Sequence, residues 1–544
     1  MKSMAPEAKF FQTSNDTDLW QRYCGFMDLS IDAYMEIQRY LLLEQVKLIA
    51  HTPIGKEIMG GSQPDSVEMY RSVVPITTYD DYARFIGAGP NDPSGNGASI
   101  ETPYFWCHSA GRGGNVKWIP YTQRAFDRIA KHGVAVAILS AAEKRGEICP
   151  VPGDKVLVNL APRPYASGTF LAHLMDYFPY QSIPPLDDAE NLEFGERTKL
   201  AFEQGLSQGI DYIFSVSTVL SKIGEKFSGE EHNLKLTSAI LQPKVLRRLV
   251  WAWLRSKLAR RQMMPRDLWS LKGLVTFGVD TPALEEKLTT MWGKVPYQVY
   301  GTTEMMISAV QGWNKKGMTF LPDMAFWEFI PEDQWERLRD DPKFQPTTVL
   351  MDELEAGKQY ELVYSHFHGM PLLRYRIGDV IKVESLEDPE TGVKLPQVSF
   401  QARASDIIDL AGLTQIDEKT LGQAIAETGV KCEEWCARKE YSDNFGFLRV
   451  YLELKEIRDP KELEGLLEYK LRAVDVDYRD LEGWLGQCQS VAVTLISPGS
   501  FAAYYGEKCN EGAPLARLKP FHINPPDTVT ERLLKISEAL SHSR

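Results

Sequence analysis

The fold is indicated most clearly by residues 273–304, which read GLVTFGVDTPALEEKLTTMWGKVPYQVYGTTE. The first six residues form a short apolar run that is typical of a buried strand. Thr281 and Pro282 can cap and begin a helix, and Val295 to Tyr300 forms a second apolar run. A strand, a helix and a strand in such close succession favour an α/β fold with a largely parallel sheet covered by helices.

The length of the chain predicts more than one domain. It has 544 residues, whereas a single hydrophobic core stops growing at about 250–300 residues. The pattern changes near residue 400 to that of a smaller α/β unit, in which Leu448 to Leu454 alternate with polar residues as in a half-buried strand. We therefore expect a large domain over residues 1–402 and a small domain over residues 403–544.

Composition excludes several classes of function. The chain carries 61 basic and 74 acidic residues, and its net charge of -13 argues against a nucleic-acid partner or a broad anionic-membrane surface. Seven scattered cysteines without a C-x-x-C pair are typical of a reduced protein. The longest apolar run, Val134 to Ala142, is too short to span a bilayer. We expect a cytoplasmic monomer.

A glycine-rich segment, Cys107 to Thr122, has the composition of a phosphate-binding loop. Its glycines allow backbone N–H groups to approach an anion, and Ser109 and Lys117 add a hydroxyl and a positive charge. It lacks the Gly-Lys-Ser/Thr of a P-loop, and Cys107 stands where a hydrolase nucleophile elbow needs glycine. The other interpretation is a flexible surface loop.

Two further segments carry polar groups suited to a nucleotide. Tyr300 to Glu304 follows a predicted strand, where its hydroxyls and carboxylate can hold a phosphate and Mg²⁺; alternatively it is a turn that caps the next helix. Asp379 follows a glycine in Leu373 to Asp379 and can accept from ribose hydroxyls; alternatively it forms a surface Arg–Asp salt bridge.

The pair His366 and His368 suggests a metal site, but with no third ligand a structural pair is favoured.

These segments, in this order, resemble the plant-type acyl acid–amido synthetases that conjugate auxin and jasmonate to amino acids. That family belongs to the acyl-adenylate-forming superfamily. The resemblance runs from about residue 65 to about residue 520 and includes four more matching segments: Val74 to Tyr79, Phe320 to Pro331, Ser497 to Phe501 and Gly512 to Lys519. It implies a large adenylate-forming domain with helix-covered sheets and a smaller, mobile α/β C-terminal domain.

The resemblance implies a role for each matching residue, with ATP and Mg²⁺ as cofactors. The implied catalytic residues are Thr303 at the α-phosphate, Glu304 as the Mg²⁺ ligand, and Lys519, which swings in with the small domain to stabilise the adenylation transition state. The implied nucleotide-binding residues are Ser109, Gly111, Arg112 and Lys117 at the phosphates, Gly301 and Thr302 along the adenylate, Asp379 at the ribose, and Arg403 at the interdomain hinge.

The phosphate loop departs from the family pattern, which usually reads Ser-Ser-Gly-Thr. Here it reads His108-Ser-Ala-Gly-Arg112, so hydroxyl donors are missing and the guanidinium of Arg112 compensates with charge. The expected function is ATP-dependent activation of a small carboxylic acid followed by acyl transfer to an amine. Two alternatives stay open. One is transfer to coenzyme A or an alcohol, and the other is an ATP-independent acyltransferase or a non-catalytic binder of small acids.

Overall fold

The structure is a computed structural model, and it describes residues 6–92, 100–109, 117–189, 192, 194–228, 242–278, 281–334, 337, 344–403, 407–410, 414–442, 445–455, 458–475, 478–479, 490–510 and 522–542. These residues group into two compact units. Unit 1 contains the described residues up to 403, and unit 2 contains those from 407 onward.

Helices cover much of the described chain. In unit 1 they are α1 Pro6–Thr13, α2 Asp16–Cys24, α3 Ile31–Ile49, α4 Pro53–Ile58, α5 Val67–Val73, α6 Asp80–Ile86, α7 Gln123–Ala141, α8 Ala166–Tyr177, α9 Leu186–Ala189, α10 Phe194–Gln208, α11 Ser217–Ser228, α12 Pro243–Leu258, α13 Pro265–Leu268 and α14 Thr281–Trp292. In unit 2 they are α15 Glu418–Glu427, α16 Pro460–Val474, α17 Ser500–Asn510 and α18 Asp527–His542.

The strands of unit 1 are β1 Phe105–His108, β2 Trp118–Tyr121, β3 Lys155–Asn159, β4 Gln181–Ile183, β5 Tyr212–Val216, β6 Gly273–Phe277, β7 Tyr297–Tyr300, β8 Ala309–Gln311, β9 Met318–Phe320, β10 Ala325–Pro331, β11 Gln359–His366, β12 Tyr375–Ser385 and β13 Gln397–Arg403. The strands of unit 2 are β14 Ile407–Leu410, β15 Thr414–Asp417, β16 Cys432–Ser442, β17 Phe445–Leu454 and β18 Val491–Ile496.

The main sheet of unit 1 is half parallel and half antiparallel. Its strands lie in the order β10-β11-β12-β13-β9-β8-β7-β6-β5-β3-β4. Strands β4 to β7 pair in parallel, whereas from β7 to β10 the neighbours pair antiparallel. The prediction of a largely parallel sheet is therefore wrong for the second half. There the chain joins neighbouring strands without the crossover helices that parallel strands need.

The stretch from Gly273 to Glu304 forms the elements expected of it. Helix α14 buries Leu284 and Leu288 against the parallel strands, where they join one apolar cluster with Leu157 and Leu274. Thr281 differs in detail: its hydroxyl donates to the Gly278 carbonyl at 2.9 Å instead of accepting from the first turn. Fully burying each such leucine is worth about 1.5–3 kcal/mol, so this cluster holds the helix on the sheet.

Unit 2 has its own core around the sheet β16-β17-β18. Leu448, Val450 and Leu452 alternate along β17 as the sequence pattern predicts, and all three are buried. Leu463 and Leu467 of α16 join the same apolar cluster.

Within the part of the chain that the structure describes, no helix is both long enough and apolar enough to cross a membrane.

Candidate functional site

The candidate phosphate loop is held at both ends by a β-hairpin. Strands β1 and β2 pair antiparallel, with His108 opposite Trp118, and the Ser109 N–H donates to the Lys117 carbonyl at 3.0 Å. The Lys117 ammonium lies 5.0 Å from the centre of the Tyr79 ring. The two predicted phosphate-binding residues Gly111 and Arg112 lie outside the described residues. What the structure defines is the frame that fixes the start and the end of this loop.

The segment from Tyr300 to Glu304 is a tight turn between antiparallel strands. The Ser308 N–H donates to the Tyr300 carbonyl at 2.8 Å, and β8 then pairs with β7. A Cβ added to Gly301 would lie 1.9 Å from the Met306 carbonyl oxygen, so this position requires glycine. The alternative in which Thr and Glu cap a following helix is wrong, since a strand follows. The motif lies where the sheet changes from parallel to antiparallel.

Two side chains of this turn carry buried polar groups that have few hydrogen-bond or charge partners among the described residues. The Thr302 hydroxyl is buried and has no hydrogen-bond partner among the described residues. The Glu304 side chain is buried, and its carboxylate accepts from the Tyr375 hydroxyl at 3.3 Å. Within the described part of the chain, Glu304 forms no salt bridge. A buried carboxylate without a cationic partner is costly, unless a cation from outside the protein neutralises it.

The phosphate-loop hairpin is bonded directly to this turn. The Tyr121 hydroxyl donates to the Thr303 carbonyl at 2.7 Å, and the Cys107 thiol lies 3.6 Å from the same oxygen. Burial raises the pKa of the Cys107 thiol, and the nearby Glu304 charge raises it further. The thiol is therefore protonated and can donate to the carbonyl.

The segment around Thr77 joins the hairpin to strand β12. Thr77 N–H donates to the Arg374 carbonyl and the Arg376 N–H donates to the Thr77 carbonyl, both at 2.9 Å. The Tyr79 hydroxyl accepts from the Trp118 N–H and lies 3.0 Å from the Trp118 carbonyl. Segments that are hundreds of residues apart in sequence are thus joined around Glu304.

Asp379 is buried on β12 beside the turn. Its carboxylate accepts from the Tyr300 hydroxyl at 2.6 Å. Gly378, just before it, has a φ of +85°, which a residue with a side chain adopts only at a cost. The neighbouring Arg374 and Arg376 pair with glutamates, Glu328 and Glu361 respectively. The surface salt bridge considered for this motif is therefore wrong for both arginines.

His366 has a structural role at this site. Its Nε2–H donates to the Glu304 carbonyl at 2.9 Å, and its Nδ1 accepts from the Leu372 N–H at 3.3 Å. Burial lowers its pKa to about 3, so the ring is neutral. His368 Nε2 lies 2.8 Å from the Asp323 carbonyl. Among the described residues no group of His, Cys, Asp or Glu is arranged to hold a metal by itself.

Two predicted residues are placed only in part or not at all. The backbone of Arg403 lies opposite Asp379 in the pairing of β12 with β13, which brings this position to the site. Its side chain is outside what the structure describes. Lys519 lies outside the described residues, so its role stays a prediction from the resemblance.

The residues that are described fit a nucleotide and Mg²⁺. Gly301 allows the turn to close tightly against Met306, the buried Thr302 hydroxyl can donate, and Glu304 offers one buried carboxylate. Mg²⁺ is commonly bound by one or two carboxylates together with phosphate oxygens and waters, which suits a site with a single glutamate. Asp379 on β12 lies beside the turn through its hydrogen bond with the Tyr300 hydroxyl, and a carboxylate there can accept from ribose hydroxyls.

Sequence reasoning missed the tyrosines that order this site. The hydroxyls of Tyr121, Tyr300 and Tyr375 bond to Thr303, Asp379 and Glu304 respectively. Each lies within or next to a quoted motif, so proximity in sequence was the available signal. Each hydroxyl bonds to a residue of a different motif, which is distant in sequence, so the pairing itself could not be predicted.

Two family domains match this chain. The GH3 family N-terminal domain matches residues 25–149, which include Ser109 and Lys117. The GH3 family central domain matches residues 318–403, which include Asp379 and Arg403. Together the two matches cover about two fifths of the chain.

Curated plant proteins show the same similarity over limited lengths. The indole-3-acetic acid-amido synthetase GH3.2 of Arabidopsis thaliana is 28% identical over 144 residues, which is 25% of each protein. The jasmonoyl--L-amino acid synthetase GH3.5 of Oryza sativa subsp. japonica is 24% identical over 232 residues, which is 39% of this chain and 38% of the relative. The chain thus matches about a quarter to two fifths of the length of these relatives.

Solved structures share the fold over almost the whole chain. The GH3.15 acyl acid amido synthetase in complex with 2,4-DB matches 96% of this chain and 97% of its own, with a TM-score of 0.50 and 15% identity. A 2-hydroxyisobutyryl-CoA ligase in complex with 2-HIB-AMP and CoA matches 87% of this chain and 88% of its own, with a TM-score of 0.56 and 16% identity.

The fold is that of the adenylate-forming ligases. Within that fold, residues 25–149 and 318–403 match domains of the GH3 family, and these parts of the chain are similar to plant acid–amido synthetases.

Proposed function

We propose that this protein uses ATP to activate a carboxylic acid as an acyl-adenylate and then transfers the acyl group to an amine. One observation carries the proposal. The phosphate-loop hairpin, the turn with Thr303 and Glu304, and the strand with Asp379 meet around one buried carboxylate. Units 1 and 2 are proposed to be the large and small domains of this enzyme.

The arrangement suits adenylation because that step needs alignment and charge neutralisation more than a base. A carboxylate substrate is ionised at neutral pH, so it can attack the α-phosphorus directly once the two are aligned. Thr302 and the turn backbone would orient the adenylate, and Asp379 the ribose. Mg²⁺, when bound at Glu304, would supply positive charge that offsets the charge developing on the phosphates. Lys519 is proposed to add a second positive charge.

The first experiment is pyrophosphate exchange into ATP across a panel of aryl, indole and fatty acids, with Mg²⁺ present. Exchange that depends on one acid supports adenylation and identifies the acyl substrate. The Lys519→Ala variant should slow this exchange strongly, because the charge it brings to the transition state is lost. Normal exchange by that variant would mean that the assignment of Lys519 is wrong.

The acceptor is tested separately by product mass. The acid found by exchange is supplied with amino acids, coenzyme A or a simple alcohol, and each product is identified. An amide supports the proposed ligase. A thioester or an ester would instead favour the alternative acceptors.

The altered phosphate loop makes ATP binding itself worth measuring. Binding of Mg-ATP by calorimetry is expected, and its absence together with the absence of exchange would favour an ATP-independent acyltransferase or a non-catalytic binder. Sedimentation velocity and cell fractionation test the further proposals of a monomer and of a cytoplasmic location.

A further inference from the structure

One segment of this acidic protein has the opposite charge. Between Pro243 and Arg266 the sequence has eight basic residues and no acidic one, although the whole chain carries a net charge of -13. Helix α12 takes up most of this segment. A local positive charge of this density attracts anions whatever the overall net charge is.

Helix α12 contacts the rest of unit 1 through a narrow stripe. Val245, Ala252 and Ser256 are buried, and they recur at the spacing of one helix face. Most of the remaining surface of the helix is solvent-exposed. The exposed part includes large apolar side chains, with Trp251 59% exposed, Trp253 54% exposed and Leu258 85% exposed.

The exposed apolar side chains face away from the buried stripe. At 100° per residue, Leu246, Val250 and Trp253 form one row, and Leu254, Leu258 and Trp251 form the next, on the outward half of the helix. Such an apolar face on a monomer is unusual and marks an interaction surface. Basic residues lie both at the flank of this face, as Arg248 and Arg255 do, and within it, as Arg247 does. Outward tryptophan and leucine together with basic side chains are typical of helices that lie in a membrane interface.

A positively charged cleft lies beside these tryptophans. It has a volume of about 720 Å³, and its wall includes Lys155, Lys244, Arg247, Arg248, Arg255 and Trp251. Burial lowers the pKa of Arg248, and the positive charge of Arg247 lowers it further.

An acidic side chain of the same cleft is already neutralised. Asp267 is held by Arg261 through two hydrogen bonds of 2.7 Å. The cleft therefore presents excess positive charge within reach of exposed apolar side chains.

We propose that α12 and its cleft dock onto an anionic lipid bilayer, with phosphate-bearing headgroups in the cleft and Trp251, Trp253 and Leu258 at the acyl boundary. A bilayer matches both halves of this surface, because it offers negative charge and apolar depth side by side. A free phosphate would use the cleft but leave the apolar side chains in water. This docking is independent of the proposed adenylation, and it involves a local patch that the net charge of the whole chain does not reveal.

The test is co-sedimentation of the full chain with vesicles. We expect binding to vesicles of phosphatidylcholine with phosphatidylserine in a 70:30 ratio at low salt, weak binding to phosphatidylcholine alone, and loss of binding at high salt. The tryptophan emission should shift to the blue on binding. Wild-type protein that stays in the supernatant with both vesicle types would overturn the proposal.

Two double variants separate the contribution of the basic side chains to vesicle binding from that of the tryptophans. Lys244→Glu with Arg247→Glu should weaken vesicle binding by about fivefold or more for each basic side chain that is reversed. Trp251→Ser with Trp253→Ser should abolish the blue shift and weaken binding. Tyr469→Ser is the matched control, because Tyr469 is 67% exposed on another helix, α16, next to Lys470. If both double variants bind like the control, α12 is not the docking surface.

Other occupants give different results. If sedimentation velocity shows a dimer that the Trp251→Ser variant converts to a monomer, without vesicle binding, the face joins two copies of this chain and the proposal fails. If inorganic phosphate binds in calorimetry while vesicles do not, the cleft is a free-anion site and the proposal also fails. Unchanged far-UV circular dichroism and thermal unfolding of the variants exclude misfolding as the cause.

Discussion

Two buried glutamates of unit 1 lie in opposite electrostatic settings. Glu328 on β10 is completely buried, and its carboxylate accepts from Arg374 at 2.9 and 3.0 Å and from the Thr348 hydroxyl at 2.6 Å. Arg71 lies 3.3 Å from the same carboxylate. Glu304 is also buried, but among the described residues its carboxylate forms no salt bridge and accepts from the neutral hydroxyl of Tyr375.

The difference distinguishes a glutamate that stabilises the fold from one that is available to bind a ligand. A carboxylate surrounded by guanidinium groups has its charge neutralised inside the protein, and its removal leaves unpaired cations. A buried carboxylate that no cationic side chain of the described residues neutralises can instead be paired with a cation that the protein binds. From this difference we expect Glu304, and not Glu328, to be the glutamate that serves function.

The largest effect on stability is expected at the buried pair of Glu328 and Arg374. Arg374→Met should lower the free energy of unfolding by about 3–5 kcal/mol, because it leaves Glu328 buried with one guanidinium fewer. Chemical denaturation measures this. The matched control is Arg145→Met, which breaks an exposed two-bond pair with Asp28 and should cost less than about 1 kcal/mol. Equal losses in the two variants would contradict the comparison.

The site carboxylate should show the reverse pattern. Glu304→Gln should lower the rate of acid-dependent pyrophosphate exchange by about 100- to 1,000-fold, because the neutral amide would hold Mg²⁺ weakly and the positive charge that offsets the phosphates in the transition state would be lost. The free energy of unfolding should not fall, since no cation is left unpaired among the described residues. Glu390→Gln, which alters an exposed pair with Lys316, should change neither quantity. Normal exchange by Glu304→Gln would show that this carboxylate is not part of the site.

The neutral histidine behind Glu304 predicts a dependence of stability on pH. The folded-state pKa of His366 is about 3, below its ordinary value of 6.5, because the ring is buried. The unfolded chain therefore binds more protons between these two values. Stability is full above pH 6.5 and is lost as the pH falls toward 3. Between pH 6.5 and pH 5 we expect a loss of about 1–2 kcal/mol from this group. Denaturation of wild type and His366→Gln at both pH values measures it, and parallel pH dependences would contradict the assignment.

The smallest effect concerns the hydroxyl that orders Asp379. Tyr300→Phe removes the 2.6 Å hydrogen bond, which should raise the KM for ATP about fivefold with a smaller change in kcat. Tyr297→Phe on the same strand is the control. Its hydroxyl donates to the Gln311 carbonyl, so its loss should reduce stability and leave the KM unchanged. A KM that rises equally in both variants would mean that Tyr300 supports the fold and does not act on ATP binding through Asp379.

The sequence predicted the elements better than their arrangement. Apolar runs and periodicity identified β6, α14, β7 and β17, because burial leaves a local pattern in the sequence. It missed the antiparallel half of the sheet, since pairing direction depends on which strands meet and not on the strands themselves. The Thr and Glu of residues 300–304 were equally compatible with a helix cap until β8 was seen to follow the turn.

The sequence by itself indicated the family resemblance and the chemical types at the candidate site, because the glycine, hydroxyl and carboxylate motifs occur in a fixed order along the chain. Only the tertiary structure decided which charges are neutralised. Arg374 and Asp379 are five residues apart in sequence, yet one pairs with Glu328 and the other accepts from Tyr300. The physical reason is that the energy of a buried charge depends on its neighbours in space. Those neighbours come from strands that are distant in sequence.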